Sequence, residues 1–234
     1  MAPSSIFRFS INQRDLNVIL GTLGIYALGI FSLWFPMAVL NMPMPQDLIP
    51  NKAVTTVWQA LALVVFPFIW AVKRLNLSLS DLGLTAHRLG MNIFLGCGLY
   101  AIALAVFIHC SDSPMMMNHA LRKVNTGDAV ALTALMGITA AGTDIASRGF
   151  ILLILAKYGN VFLAFLVQNI LWFAGHMHEV RMLSDCLGTT LAATLTVTLG
   201  VVGDIIVLRT RSVVGLAIAH FLLNVVLAVY LRQI

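Results

Sequence analysis

Charge is scarce in this chain. Lys, Arg, Asp and Glu make up 10% of its 234 residues, with fourteen basic and nine acidic side chains and a single glutamate, Glu179. Soluble domains carry roughly a quarter charged residues, so a soluble globule is excluded. The shortage goes with 60% hydrophobic residues and a mean hydropathy of +0.95. That excludes disorder as well, because chains that stay unfolded are poor in apolar residues and rich in charge, Pro and Ser. Cysteine is sparse too: Cys97, Cys110 and Cys186 are odd in number and share no CxxC spacing, which gives a disulfide framework or a zinc knuckle little support. Missing also are the alternating segments of about ten residues that build a membrane β-barrel. The basic residues stand singly or in pairs at the ends of apolar runs, where they anchor helices to headgroups, and this is no nucleic-acid footprint. What remains is an all-α integral membrane protein, a polytopic transmembrane helical bundle in a lipid bilayer, with residues 1–234 forming one membrane domain.

Spans of about 20 apolar residues can be marked at 16–40, 53–72, 89–109, 128–158, 161–175, 186–208 and 213–231, about seven in all. The first run is too long for the hydrophobic part of a signal peptide and reads as a spanning helix. Prolines in 41–50 end it, and the stretch 75–88, with Leu79-Ser80-Asp81-Leu82-Gly83-Leu84, alternates too much to span. The fourth segment has 31 residues, about 46 Å as a straight helix and longer than the roughly 30 Å hydrocarbon core. It must tilt, kink or divide, and a kink is expected at Thr143, Asp144, Ser147 and Arg148, which lie between Gly142 and Gly149. With seven spans, one side carries Arg8, Arg14, Lys73, Arg74, Arg88, Lys157, Arg209 and Arg211, and the other Lys52, Arg122, Lys123, Arg181 and Arg232. Eight against five places the N-terminus in the cytoplasm by the positive-inside rule.

Ionisable residues inside spans cost about 2.5 to 3.5 kcal/mol each on insertion scales, turn inward, and are functional candidates by default. Here they are Asp144 and Arg148, His176, Asp204, and His220 with Asn224. Asp144 and Arg148, Trp172 and His176, and His220 and Asn224 are each four residues apart, which puts each pair on one helix face about 6 Å apart along the axis. If the faces converge, they enclose an inventory for hydrolysis. A carboxylate or imidazole can take a proton from water, Arg148 can hold a carboxylate, and His220 with Asn224 can donate to an oxyanion. The plainer readings are a buried structural ion pair for Asp144 and Arg148 and interhelical hydrogen bonding for His220 and Asn224. His178 and Glu179 follow His176 and read as a wet loop; His178 is about 200° from His176 on a helix, so both face one site only if the helix has ended. Asp204 is open to two placements, on the same cavity or at the frayed end of its segment. Met115, Met116, Met117 and His119, with His109 and Cys110, are soft ligands that would suit copper, although an interfacial loop is the simpler reading.

The stretch Thr143-Asp144-Ile145-Ala146-Ser147-Arg148, then Trp172-Phe173-Ala174-Gly175-His176, then His220-Phe221-Leu222-Leu223-Asn224 resembles the three motifs EExxxR, FxxxH and HxxxN of the CAAX-protease and bacteriocin-processing (CPBP, or Abi) intramembrane endopeptidases. The family-like core covers about 75–232. The resemblance implies a hydrolase of a bacterial cell membrane that cuts a membrane-embedded or membrane-proximal, or lipidated, peptide substrate by activated-water attack. It implies that His176 activates the water together with a motif-one acid oriented by Arg148, and that His220 and Asn224 stabilise the oxyanion. The chain departs from the motif where Thr143 stands for the first Glu, leaving Asp144 as the acid, and Trp172 replaces the usual Phe. Two alternatives stay open. One is an inactive scaffold that keeps the cavity to bind a transmembrane partner. The other is a zinc-dependent hydrolase with the metal on His176, His220 and either Asp144 or Glu179, since two His and a carboxylate with an open position form a catalytic set.

Overall fold

Peptide groups in hydrocarbon have no water to bond, so a spanning segment must satisfy its own N–H and C=O groups, which the helix does within one segment. The computed structural model describes residues 11–36, 49–112 and 126–233, and among these the chain forms eight helices and no strand. Helix α1 is Gln13–Ser32, opened by Asn12, whose side chain accepts the Asp15 N–H at 2.8 Å. Helix α2 comprises Ile49–Ala60, a π-helical turn Leu61–Val65 and Phe66–Leu75, and α3 is Leu89–His109. Helix α4 comprises Thr126–Asp144, a π-helical stretch Ile145–Leu152 and Leu153–Tyr158. Helices α5 (Val161–Gly175), α6 (Met177–Leu187), α7 (Thr189–Thr210) and α8 (Val214–Gln233) complete the order.

Among the described residues five helices are long and apolar enough to cross a membrane: α1, α2, α3, α4 and α7. A sixth span results if α5 and α6, bent by 69° at His176, act as one broken span, and α8 contributes the shorter apolar stretch Val214–Leu227. Of the segments marked at about seven, 161–175 is the one altered, since α5, with 15 residues, is only about 22 Å long. The segment expected from 186 begins instead at Thr189, because Gly188 at φ +79° separates α6 from α7. The break expected in 128–158 is present as the π-helical stretch, in which seven consecutive residues from Ala146 to Leu152 are buried. The cluster Met115, Met116, Met117 and His119, the basic residues Arg8, Arg122 and Lys123, and 41–48 of the proline-rich stretch lie outside the described residues.

Apart from α5 and α6, which are bent by 69°, successive helices reverse direction and define two ends. The proximal end, where α1 begins, is knitted by the segment 76–88. Val213 N–H donates to Gly83 O at 3.0 Å and Ser212 Oγ to Thr85 O at 2.9 Å, while Asn92 Nδ2 donates to Thr210 Oγ1 and Ser212 O. At the distal end Trp58 Nε1 donates to Ser32 O at 2.8 Å, and Cys110 is bonded to Cys186 across 76 residues of sequence with Cα atoms 5.6 Å apart. This disulfide corrects the sequence expectation. An odd cysteine count leaves room for one bridge, and Cys97 is the residue left free. In the main core Leu82, Phe150, Ile151, Leu155, Val207 and Leu216 are fully buried, and the same cluster reaches Tyr26, Leu63, Tyr100 and Leu223 farther along the bundle.

At the proximal surface Asp81 accepts from the Ser78 hydroxyl at 2.7 Å, from the Ser78 N–H at 2.9 Å and from Lys157 Nζ at 3.0 Å. The Ser78 bonds, and then Lys157, lower its carboxyl from 3.8 to about 2. A depressed pKa contributes stability above the ordinary value that is lost as pH falls through the folded one. Between pH 4 and pH 2 the melting temperature of the detergent-solubilised protein is therefore expected to fall more steeply for wild type than for Asp81→Asn; parallel curves would refute the tie.

Candidate functional site

Arg148 is fully buried in the π-helical stretch of α4, and every part of its guanidinium is engaged. Nη1 pairs with Asp144 one turn earlier, Nε donates to Asp204 Oδ1 at 3.1 Å, and Nη2 donates to Gly200 O at 3.3 Å. Its flat face lies over the Trp172 ring, 4.0 Å from the centroid, a cation–π contact whose attraction grows when the pair is desolvated. Helix α7 comes this close because it presents glycine: a Cβ at Gly203 would lie 2.5 Å from Arg148 Nη2, and one at Gly200 would lie 2.7 Å from Trp172 Cδ1. Asn169 of α5 closes the network by donating from Nδ2 to Asp204 Oδ2 at 2.9 Å. One cation thus ties α4, α5 and α7 together.

Asp144 passes this order on to α3 and α8. Its Oδ2 accepts from Tyr100 Oη at 2.9 Å and from His220 Nδ1 at 3.0 Å. A carboxylate only accepts, so His220 carries its hydrogen on Nδ1 and keeps Nε2 as the basic nitrogen. The Tyr100 ring stacks on the imidazole at 4.5 Å and fixes its plane. His176 is held in the same manner by other partners. Its ring stacks on Trp172 at 3.8 Å, and Nδ1 lies 2.8 Å from Trp172 O, a carbonyl that leaves Nε2 as the basic nitrogen here too. The two imidazoles are 22° from parallel with centroids 6.3 Å apart.

Two cavities meet at this pair. One, of about 180 Å³, is apolar and lies among α3, α6, α7 and α8, with Ile102, Val106, Phe107, Leu183 and Leu199 in its wall. The other, of about 570 Å³, lies toward α1 and α2 and includes Lys52, Gln59, Thr139 and Thr143. Met136, His176, Glu179, His220 and Asn224 border both. The buried Oε2 of Glu179 has no hydrogen-bond partner among the described residues, so this carboxylate is free to act where the two spaces join.

The structure gathers Asp144 and Arg148 of α4, His176 of the α5–α6 junction and His220 and Asn224 of α8, but in two layers. His176, His220 and Asn224 border the cavities, whereas Asp144 and Arg148 border neither and stand behind His220. Thr143 lines the larger cavity, receives the Gln59 amide at 3.2 Å and donates to Thr139 O. Trp172 lines the smaller one and donates from Nε1 to Thr196 O at 3.1 Å. Asn224 Nδ2 donates to His220 O at 3.0 Å. Asp204 belongs to the buried network rather than to a frayed end. His178 and His176 border one cavity because α5 ends at Gly175, His176 is the junction, and α6 starts at Met177 in a new direction. Tyr100, Asn169 and Gly200 escape sequence reasoning; the one signal was a polar-tipped residue in an apolar run, for Tyr100 and Asn169. For a metal, no three of His, Cys, Asp and Glu come together as a holding group among the described residues.

Comparison with known proteins adds one finding. Residues 125–226 match the family model described as Type II CAAX prenyl endopeptidase Rce1-like, a stretch holding all three motif segments. No curated protein and no solved structure matches the chain.

Because the guanidinium is pinned on every side, Gly203→Ala forces a clash that cannot relax by side-chain rotation. Overpacking of this kind costs about 1–3 kcal/mol, so a lower melting temperature in detergent is expected. Gly142→Ala, where nothing lies within 4 Å of the added carbon, should leave the melting temperature unchanged; equal effects of the two would show that the cluster is not rigid.

Proposed function

The stretch 125–226 belongs to the Rce1-like, CPBP-type endopeptidases, and from that premise we propose that the protein is an intramembrane endopeptidase hydrolysing a peptide bond of a membrane-embedded or membrane-proximal substrate. The observation that carries the reading is the wall shared by the two cavities, where two imidazoles, an amide and a carboxylate with one buried oxygen lacking a hydrogen-bond partner face one space.

In this mechanism a water held between the cavities attacks the carbonyl carbon of the scissile peptide. His176 Nε2 takes one proton from it, with Glu179 as the carboxylate beside the water. Glu179 thereby fills the role left empty by Thr143, whose hydroxyl cannot act as a carboxylate base. The negative charge that forms on the carbonyl oxygen is met by the Asn224 amide and by His220, whose ring Asp144 holds from behind through Nδ1. As the C–N bond breaks, the proton taken from water passes to the leaving nitrogen. Asp144, Arg148 and Tyr100 act as positioning residues through His220. The membrane is read as that of a bacterial cell, with a cytoplasmic N-terminus.

General acid–base groups contribute about 10²–10⁴-fold. His176→Ala and Glu179→Gln are each expected to lower kcat on a cleavable membrane peptide by about that factor with KM little changed; wild-type turnover in both would remove the assignment. Asp144→Asn should lower kcat with KM little changed, because Asp144 acts through the ring of His220; wild-type turnover in the variant would remove that positioning role.

One observation favours a second reading, an inactive scaffold. Thr143 faces the larger cavity at the motif-one position with a hydroxyl tied to Gln59 and Thr139. Thr143→Glu separates the two: a silent protein that gains turnover is a degenerate site, whereas an active wild type little altered by the change relies on Glu179.

A further inference from the structure

We infer that both cavities open on the extracytoplasmic side of the membrane, so that the peptide cut is one presented from that side, the juxtamembrane segment of an exported or surface-anchored chain. The assignment of the face rests on geometry alone; the substrate half rests on the endopeptidase reading.

Three observations meet at the distal end. First, the Cys110–Cys186 disulfide lies there, at the close of α3 and of α6. Disulfides form and persist in oxidising compartments and are rare in contact with the cytosol, and this one ties down the helix that carries Glu179. Second, the basic residues favour the other end. Among the described residues Arg14, Lys73, Arg74, Arg88, Lys157, Arg209 and Arg211 fall at the proximal end and Lys52, Arg181 and Arg232 at the distal end; with Arg8 before α1 and Arg122 and Lys123 in the connection from α3 to α4, the chain order gives eight against five, and short cytoplasmic connections are the ones enriched in Lys and Arg. Third, most of the cavity residues fall in the distal half of their helices, with His220 toward the middle of the bundle. Ile30 and Leu33 follow the midpoint of α1, Lys52 and Gln59 precede that of α2, Val106 and Phe107 close α3, and Leu195 and Thr196 open α7. A third cavity, of about 480 Å³ at the proximal surface, is lined by Ser80, Asp81, Leu153, Ala156, Lys157 and Arg211 and shares no lining residue with these two. The space around the imidazoles thus joins residues of the disulfide-bearing half and not those of the basic face.

The disulfide and the charge asymmetry are independent of each other and of catalysis, and they give the same orientation. Lys52, which borders the larger cavity and has no ion pair among the described residues, would meet an anionic group on a peptide entering from this side.

The test uses the full-length chain in intact cells, with Cys97→Ser removing the free thiol. His178→Cys reports the cavity wall and Ser80→Cys the proximal surface, each read by a membrane-impermeant maleimide before and after permeabilisation. His178→Cys is expected to label equally in both conditions and Ser80→Cys only after permeabilisation; the reverse pattern overturns the proposal. The Cys97→Ser parent should label in intact cells only after an impermeant phosphine reductant, and labelling without reductant would show that no bridge exists there. Thr189→Cys, at the start of α7, replaces His178→Cys if that variant does not accumulate. Two matched reporter peptides, one with its scissile segment exported and one with it cytosolic, complete the test. Cleavage of the exported one alone, lost in His176→Ala, supports the substrate class, and cleavage of the cytosolic one alone overturns it. Cleavage of neither, with the labelling as expected, defeats the endopeptidase reading while the outward opening stands.

Discussion

A guanidinium buried at membrane depth is the constraint from which the rest of this structure follows. Removing a charge from water costs several kcal/mol even after relaxation, and the cost is met only when its donors are taken up by well-placed partners. Arg148 has Asp144, Asp204 and the Gly200 carbonyl in the plane of its donors and Trp172 against its face. Those partners come from three helices, so satisfying one side chain fixes the relative depth and rotation of α4, α5 and α7. Breaking a buried pair by removing one partner costs about 3–5 kcal/mol, which makes the cluster a register device as much as an electrostatic one. Glycines at 200 and 203 are its complement on α7, since a side chain there would fill the space the cation occupies.

The second layer depends on the first. Asp144 spends one oxygen on Arg148 and the other on Tyr100 and His220, so its chemistry is exerted on an imidazole rather than on a solvent molecule. The division accounts for an aspartate at this position: it lies behind the wall and need only reach the ring. It also explains how a threonine at 143 is compatible with hydrolysis, provided that a carboxylate reaches the space from another direction. Glu179, from the first turn of α6, is placed to do so.

Much of this could be read from the amino acids. Asp144 with Arg148, and His220 with Asn224, announce themselves because polar residues four apart in an apolar helix must share a face, and a face in hydrocarbon must turn inward. The overlong fourth segment likewise required a break, and the π-helical stretch is that break. Other features were illegible for physical reasons. The pairing of Cys110 with Cys186 depends on α3 and α6 ending side by side, a tertiary fact with no trace in spacing. Tyr100 lies in a run of apolar residues whose pattern is the same whichever way the ring points. Glu179 reads as a loop residue, and His178 as turned away from His176, until the chain turns through 69°, after which one helical wheel no longer covers His176 and His178 together. The division into layers was hidden as well, because spacing along one helix says which side chains share a direction and not which of them reaches open space first.

That turn also supplies polarity of its own. A helix ends in carbonyls without partners and begins in amides without partners, equivalent to about half an elementary charge of opposite sign at the two termini. In a straight span these lie at the two aqueous surfaces, far from anything apolar. Interrupting the span at His176 brings a carbonyl terminus and an amide terminus together in its interior, on either side of an imidazole and within one turn of a carboxylate. The backbone thereby furnishes a local dipole field that no extra charged side chain had to carry into the lipid.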